Sequence, residues 1–290
     1  MKKVEKYLFP KSVDECINML CECKGEARLV SGATDLSLWI RDEKVLPSVL
    51  VDVSDVKEMR FVELADGKLI VGAAMTHAEI ASNETVKKYF PALSDGCRNV
   101  GSPQIRNVAT LAGNIVSAQP AADSVVPMTA LDASCEIVDE KGPRIQKISE
   151  LPKKVGVSTV DPTKEVLTKI FIDIPKCKYG TAFKRISPRE AMSLPVVNVA
   201  VMLMADDSGT ITEARVVASP VDIVPFRAKK TEEYLVGKRP SDEVFEEASK
   251  LAGEEASPRD SLQRGSGAYR KNLVKELVGQ ALRDASRTLV

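Results

Sequence analysis

The feature that most constrains this chain is a long run of small and polar residues, "GSPQIRNVATLAGN", from Gly101 to Asn114. Two glycines and several amides interrupt it, and neither a helical nor a strand period is visible. A second polar stretch, "IVSAQPAADS", follows directly. Because loops of this length inside compact domains are usually functional or disordered, the run predicts irregular backbone that binds a ligand.

A shorter turn, "SGATDL" from Ser31 to Leu36, has a similar composition and follows the strand predicted for "ARLV". Small residues let the backbone approach a ligand closely, and successive N–H groups form a concavity that binds anions. Hydroxyl donors for phosphate oxygens are present in both segments, at Ser31, Thr34, Thr110 and Ser117. Either segment alone is better explained as a tight turn, but together they favour a diphosphate ligand held between two loops.

Other ligand classes are disfavoured by what the sequence lacks. No G-x-G-x-x-G follows a strand and no G-x-x-x-x-G-K-[ST] occurs, which argues against Rossmann and P-loop domains. Lys+Arg and Asp+Glu balance at 41 each, so the chain has no basic excess for a nucleic acid partner. No apolar stretch approaches the roughly 20 residues of a membrane helix, and the start does not resemble a signal peptide. We therefore expect no membrane span and a cytoplasmic protein.

Two polar side chains have both a structural and a functional interpretation. Asp123 is either the N-cap of the helix that it opens or an acceptor for sugar or ribityl hydroxyls, since a carboxylate repels phosphate. His77 is the chain's single histidine. Thr76 and Glu79 around it form a predicted capping box, which favours the first turn of a helix over a catalytic role. One histidine also makes a His-rich metal site or a Ser–His–Asp triad a poor explanation.

The cysteines in "CINMLCEC" are predicted to be structural thiols. Their spacing, four intervening residues and then one, is not that of ferredoxin iron–sulfur ligands. Ser12 and Glu15 predict a capping box that begins a helix here, and Cys16 and Cys23 would then share one buried face.

The order of predicted elements indicates an α+β protein of 290 residues with two domains. Short strands and helices alternate up to Pro175, with a hairpin at the Asp66-Gly67 turn signal. Three strands and then three helices follow, which predicts a three-stranded antiparallel sheet with helices packed on it. The predicted boundary divides the chain into residues 1–176 and 177–290.

The segment "GSPQIRNVATLAGNIVSAQPAADSVVPMTALDA" resembles the signature of the FAD-binding (medium) subunit of molybdenum hydroxylases, the family of xanthine, CO and nicotinate dehydrogenases. "VSGATDL", "VGAAMTHAEI" and "AFKRISPREAMSLPVVNVAVML" resemble further family motifs, and the resemblance covers nearly the whole chain. It implies a vanillyl-alcohol-oxidase-type FAD-binding domain of two α+β subdomains. A domain like the C-terminal domain of the CO dehydrogenase flavoprotein would follow.

Carried over residue by residue, the resemblance implies an FAD site and neither a catalytic residue nor a metal ligand. The implied cofactor-binding residues are Leu29, Val30, Ser31, Gly32, Ala33, Thr34, Asp35, Leu36, Thr110, Ala112, Gly113, Asn114, Ser117, Asp123 and Lys184. Lys184 would stabilise negative charge on the reduced flavin ring. Ser31, Ala33 and Ala112 depart from the family pattern, and the two alanines stand at glycine positions. A methyl group there limits backbone approach and disfavours positive φ, so FAD is still expected but its affinity is the open question.

The resemblance also implies a role in a larger assembly. The chain would be an electron-transfer subunit that takes electrons from [2Fe–2S] clusters of a small partner subunit. A large partner would carry molybdopterin and the substrate site, and NAD is the expected acceptor. Two alternatives stay open: a self-contained flavin oxidase or dehydrogenase, and a non-catalytic scaffold subunit that has lost FAD.

Overall fold

The structure is a computed structural model that describes residues 4–289. Within this range the chain forms two α+β subdomains and a C-terminal sheet covered by helices. No helix of the described range is long and apolar enough to cross a membrane. The predicted α+β class is confirmed.

The first subdomain is built on a small parallel sheet. Its elements are β1 (Lys6–Leu8), α1 (Val13–Glu22), β2 (Ala27–Val30), α2 (Leu36–Arg41) and β3 (Val49–Asp52), with the strands in the order β1-β3-β2. Because the strands are parallel, the turn after β2 lies at their shared carboxyl edge. One of the two hydrogen bonds of the capping box predicted for α1 is present, because Ser12 Oγ accepts from the Glu15 amide. The Glu15 carboxylate accepts from the amide of Lys11 and not from that of Ser12.

The second subdomain is built on a five-stranded antiparallel sheet in the order β4-β5-β10-β6-β7. The strands of this region are β4 (Val62–Ala65), β5 (Lys68–Gly72), β6 (Ser134–Asp139), β7 (Gly142–Lys147), β8 (Pro152–Lys154), β9 (Val157–Ser158) and β10 (Val166–Asp173). The predicted hairpin joins β4 to β5, and Asp66 and Gly67 have φ of 51° and 72°. Positive φ at both central residues is typical of the two-residue turns that match strand twist. Strands β8 and β9 pair separately as a small hairpin.

Six short helices lie between β5 and β6, and two of them fall within the run predicted as irregular. They are α3 (His77–Ser82), α4 (Glu84–Tyr89), α5 (Pro91–Arg98), α6 (Pro103–Arg106), α7 (Leu111–Val116) and α8 (Val125–Ala130). Ser102 Oγ caps α6 through the Ile105 amide, and Thr110 Oγ1 caps α7 through the Gly113 amide. The prediction of irregular backbone was wrong for these two segments. Helices of four and six residues make fewer than two turns, so they leave no visible period in the sequence.

The C-terminal part has the predicted order of strands followed by helices. Its elements are β11 (Lys178–Ile186), β12 (Val197–Ala205), β13 (Ile211–Ser219), β14 (Phe226–Arg227), α9 (Lys229–Leu235), α10 (Asp242–Glu255) and α11 (Gly267–Ser286). The sheet has four strands instead of the predicted three, in the order β11-β12-β13-β14. Strand β14 has only two residues, which is too short to show alternation.

Strand β12 joins the C-terminal sheet to the second subdomain. Val199 and Val201 pack into the core that the sheet forms with α10 and α11. Between them, Ala200 packs on the opposite face with Ala92 of α5 and Val126 of α8. A strand buried on both faces has a continuous apolar sequence, which explains "VNVAVMLMA".

The buried cysteines behave as predicted for structural thiols. Cys16 of α1 is fully buried in the main apolar core, and Cys23 packs against the same core from the end of the helix. Burial raises the pKa of the Cys16 thiol to about 12. The thiol is therefore kept protonated and serves as a small apolar side chain.

Candidate functional site

A cavity of about 890 Å³ lies where the two subdomains and the C-terminal part meet. Its walls are the turn after β2, the segment from Val100 to Asp123, the β8–β9 hairpin and residues 192–194 of the loop after β11. This volume is in the range of pockets that bind small molecules and cofactors. The two segments that the sequence predicted to face each other therefore line one cavity.

All the residues that the resemblance assigned to a cofactor line this cavity, with one exception. The lining residues among them are Leu29, Val30, Ser31, Gly32, Ala33, Thr34, Asp35, Leu36, Thr110, Ala112, Gly113, Asn114, Ser117 and Asp123. Their contact with a cofactor stays a prediction.

Lys184 is the exception, because its side chain points to the other face of the C-terminal sheet. Its ammonium group forms an ion pair with Asp284 of α11. The next residue of β11, Arg185, extends toward the cavity wall and lies 3.4 Å from Asp123. Successive residues of a strand face opposite sides of the sheet. Lys184 and Arg185 are neighbours in sequence and therefore point in opposite directions. The structure therefore places Arg185, and not Lys184, behind the cavity.

Gly32 brings the two predicted segments together. A Cβ atom at this position would overlap the carbonyl of Val108 and the Cα of Ala109. Any larger residue would push the turn after β2 away from the segment that leads into α7. The glycine thus sets the width of this part of the cavity.

The two alanines at family glycine positions have different backbone conformations. Ala33 has φ of 55°, in the left-handed region that disfavours a side chain. Ala112 lies inside α7 and has ordinary helical geometry. The expected conflict with positive φ is therefore present at Ala33 and absent at Ala112.

Some polar groups of the cavity-lining residues form hydrogen bonds with the protein, and others do not. Ser117 Oγ donates to the Asn114 carbonyl at 2.9 Å. Burial raises the pKa of Asp35, and a hydrogen bond with Ser117 partly opposes this shift. The buried hydroxyl of Ser31 has no hydrogen-bond partner among residues 4–289. Buried hydroxyls normally have partners, so Ser31 is an exception among the polar groups of this site.

Asp123 belongs to a buried polar junction between the cavity and the C-terminal sheet. Its carboxylate accepts from Asn198 Nδ2 at 2.7 Å and pairs with Arg185. Arg185 also donates to the carbonyl oxygens of Asn99 and Ser193. The interpretation of Asp123 as a helix cap was wrong, because α8 has Ser124 at its N-cap position. Burial raises the pKa of Asp123 to about 7, although Arg185 and Asn198 both oppose the shift.

Sequence reasoning missed part of the cavity wall. Four exposed apolar residues also line it: Val155, Val157, Met192 and Leu194. The guanidinium group of Arg264 lines it from the loop before α11. His77 also lines the cavity, at the start of α3. The predicted capping box is present there. A local motif of this kind does not indicate which residues will line a cavity that is formed with another segment.

Comparison with known families matches both parts of the chain. A family model described as "FAD binding domain in molybdopterin dehydrogenase" matches residues 2–176. Another, described as "CO dehydrogenase flavoprotein C-terminal domain", matches residues 182–285. These matches confirm the family resemblance that the sequence motifs indicate.

Individual relatives agree over nearly full length. The nicotinate dehydrogenase FAD-subunit of Eubacterium barkeri is 29% identical over 240 residues, which cover 82% of this chain and 81% of the relative. The glyceraldehyde dehydrogenase medium chain of Sulfolobus acidocaldarius is 28% identical over 283 residues, 97% of this chain and 98% of the relative. A chain of the crystal structure of quinoline 2-oxidoreductase from Pseudomonas putida 86 superposes with a TM-score of 0.89 at 26% identity, covering 100% of this chain and 99% of that one. The predicted fold is confirmed.

We expect Ala33→Gly to raise the free energy of unfolding by about 1 kcal/mol, because glycine adopts positive φ without the strain of a Cβ. Ala112→Gly is the matched control and is expected to lower it by about 1 kcal/mol, because its position is helical. Urea denaturation of the purified chain measures both. Equal effects of the two variants would contradict the assignment of strain to Ala33.

We expect the contribution of Asp123 to the stability of the FAD-free chain to fall as the pH rises from about 4 to about 7. The folded protein holds this proton more tightly than the unfolded chain, whose Asp has a pKa near 3.8. Its contribution is fully present below the unfolded pKa and is lost as the pH rises through the folded value. Asp123→Asn removes the titration, so the unfolding free energy of the variant relative to the wild type should increase as the pH rises over this interval. Parallel pH profiles of the two proteins would refute this expectation.

Proposed function

The chain belongs to the family of FAD-binding subunits of molybdenum hydroxylases, and we propose that it is the FAD-carrying electron-transfer subunit of a multi-subunit enzyme of this kind. The family assignment makes it an oxidoreductase component with FAD as its cofactor. The observation that carries the proposal is the cavity, which joins the two motif segments of the resemblance in one site.

The residues of the cavity fit FAD on grounds of their own. Gly32 keeps two backbone segments in direct contact at the wall, and the buried hydroxyl of Ser31 has no hydrogen-bond partner within residues 4–289. The lining combines apolar side chains with a few hydroxyl and carboxyl groups, as is usual for sites that hold a cofactor. We propose that the segments 29–36 and 110–117, together with Asp123, hold the FAD.

The roles of these residues follow from their surroundings. Small residues of the two segments would admit the diphosphate, and the hydroxyls of Thr34 and Ser31 would donate to its oxygens. Asp123 is fixed by Asn198 and Arg185, so it would present a carboxyl group in one orientation to sugar or ribityl hydroxyls. FAD, when bound, supplies reversible acceptance of two electrons. Lys184 is left out of the proposed site because its ammonium group pairs with Asp284.

The finer part of the proposal concerns partners and acceptor. The relatives are named as a FAD-subunit and a medium chain of dehydrogenases, which supports a place in a complex with other subunits. We propose a small partner with [2Fe–2S] clusters as electron donor, a large molybdopterin partner that binds the substrate, and NAD⁺ as acceptor. A cytoplasmic location is part of this proposal.

We also propose that the chain divides into functional domains at residues 176 and 177. The family matches support this, since one ends at residue 176 and the other begins at residue 182. The two larger apolar cores support it as well, because one is built mainly from residues before this point and the other entirely from residues after it.

We expect the purified chain to bind one FAD with the absorption spectrum of oxidised flavin, and Thr34→Val to weaken binding about fivefold. Valine keeps the shape of threonine but loses one hydrogen bond, worth about 1 kcal/mol. Thr85→Val, on α4 and outside the cavity, is the matched control. Titration with FAD, followed by flavin fluorescence, gives the dissociation constants.

The same titration separates the alternatives. A wild-type chain that folds but binds no FAD would be the scaffold subunit that has lost its cofactor. Flavin that stays with the acid-precipitated protein would indicate the covalent attachment found in some self-contained flavin oxidases. Equal affinity of Thr34→Val and the wild type would contradict the assigned role of Thr34.

We expect the chemically reduced FAD-loaded chain to reduce NAD⁺ in rapid-mixing experiments, with flavin reoxidation and NADH formation at the same rate. NADP⁺ and an artificial dye serve as comparison acceptors. Affinity purification of the native complex, followed by iron, molybdenum and flavin analysis, tests the partners. Reoxidation by the dye alone would contradict the proposal of NAD⁺, and purification of the chain without metal-bearing subunits would contradict the proposed complex.

A further inference from the structure

An arginine and the single tryptophan of the chain meet at the wall that the first subdomain contributes to the cavity. Arg28 lies on β2 and Trp39 on α2, and both residues line the cavity. The Cζ atom of Arg28 lies over the Trp39 ring, 5.9 Å from its centroid. A guanidinium at this distance is attracted by the π electrons of an indole, so the two side chains form one unit.

Trp39 offers an aromatic surface at the cavity. Among the described residues that line the cavity, it is the one Phe, Tyr or Trp. Its ring packs against a small apolar cluster of Val30, Leu36 and Leu50. The residue is nevertheless only half-buried, so this packing leaves part of a large ring uncovered. Aromatic side chains in the wall of a pocket provide surfaces on which the flat rings of a ligand stack.

The positive charge of Arg28 is not compensated by an ion pair. Burial lowers the pKa of Arg28 and the charge of Asp161 opposes this shift, but within residues 4–289 the guanidinium forms neither an ion pair nor a hydrogen bond. Asp161 Oδ1 instead accepts from the amide and the hydroxyl of Thr163, at 3.0 and 2.7 Å. Asp123 and Glu165, which also line the cavity, pair with other arginines at 3.4 and 3.0 Å. The N–H groups of Arg28 are therefore available to a ligand.

The position of this pair favours one half of FAD over the other. Arg28 directly precedes the segment 29–36, whose turn is proposed above to admit the diphosphate. In FAD a ribose joins the adenine to the diphosphate, whereas the longer ribityl chain separates the isoalloxazine from it. Adenine is also electron-rich and stacks favourably beside a cation, while the oxidised isoalloxazine is electron-poor. Both arguments select the adenine as the ring that binds beside this segment.

We propose that Arg28 and Trp39 bind the adenosine half of FAD. The adenine ring stacks against this pair, and the guanidinium donates to oxygens of the phosphate next to the ribose. The inference rests on the proposed function, since it takes FAD as the occupant. It adds two binding residues that lie outside the segments 29–36 and 110–117.

The single tryptophan makes a direct test possible, because all the indole fluorescence of the chain comes from Trp39. ADP is the probe, since it contains the adenosine half and does not absorb indole fluorescence. We expect ADP to change the fluorescence of the FAD-free chain in a saturable way and to displace FAD over the same concentration range. Fluorescence that stays unchanged would overturn the proposal, whether or not ADP displaces FAD.

Substitutions test the two halves of the cofactor separately. Trp39→Leu and Arg28→Met are each expected to weaken FAD binding about tenfold, through the loss of a base stack or of a charge-assisted contact. Their dissociation constants for FMN, which lacks the adenosine half, should equal that of the wild type. Trp39→Phe keeps a smaller ring and should recover part of the affinity for FAD. Arg41→Met is the matched control for Arg28→Met, because Arg41 is exposed on the same helix as Trp39 and does not line the cavity.

The outcomes distinguish this inference from the proposed function. A wild-type chain that binds no FAD refutes the proposed function. A chain that binds FAD while its Trp39 fluorescence does not respond to ADP refutes only the role of Arg28 and Trp39. Equal losses of affinity for FAD and FMN in the variants would also refute that role, since a general defect of the cavity weakens both. Should the variants fail to fold, the ADP titration of the wild-type chain still decides the question.

Discussion

The architecture of the site depends on one close contact between backbones, that of Gly32 with Val108 and Ala109. No side chain fits between these segments, so the carboxyl edge of the small parallel sheet lies directly against the chain that enters α7. The contact joins elements that are far apart in sequence and belong to different subdomains. A cavity lined from both sides follows from it, because the neighbouring residues of each segment must then face each other across a short distance.

A second junction, which is polar, relates this cavity to the C-terminal part. Arg185 reaches from β11 to Asp123 and to the carbonyls of Asn99 and Ser193, and Asn198 of β12 donates to the same carboxylate. Removing one partner of a buried ion pair leaves an uncompensated charge, so such groups favour a single relative placement of the elements. The loop that contains Ser193 also lines the cavity. The arrangement of the C-terminal part is therefore coupled to the shape of the site.

The sequence predicted those parts of the site that depend on local chemistry. The segments around Gly32 and Gly113 were found because close backbone approach requires small residues wherever the partner lies. Lys184 does not line the cavity; its assignment depended on the face of a strand, which a shift of one residue inverts. Arg185 carried no local signal of its role, since this role depends on which groups other segments bring near. The short helices α6 and α7 were missed because their caps, not a hydrophobic period, determine them.

Some of the strained and unsatisfied groups of the structure belong to residues that line the cavity. Ala33 has a left-handed backbone, and burial shifts the pKa of Asp123 upward. Ser31 and His77 bury polar atoms that have no partner in the part of the chain that the structure describes. Each of these features costs stability in the chain alone, and residues of the right shape without polar atoms would remove most of the cost. A ligand that binds only the folded state offsets such costs through its binding free energy. A cofactor bound in this cavity would offset the part of these costs that arises there.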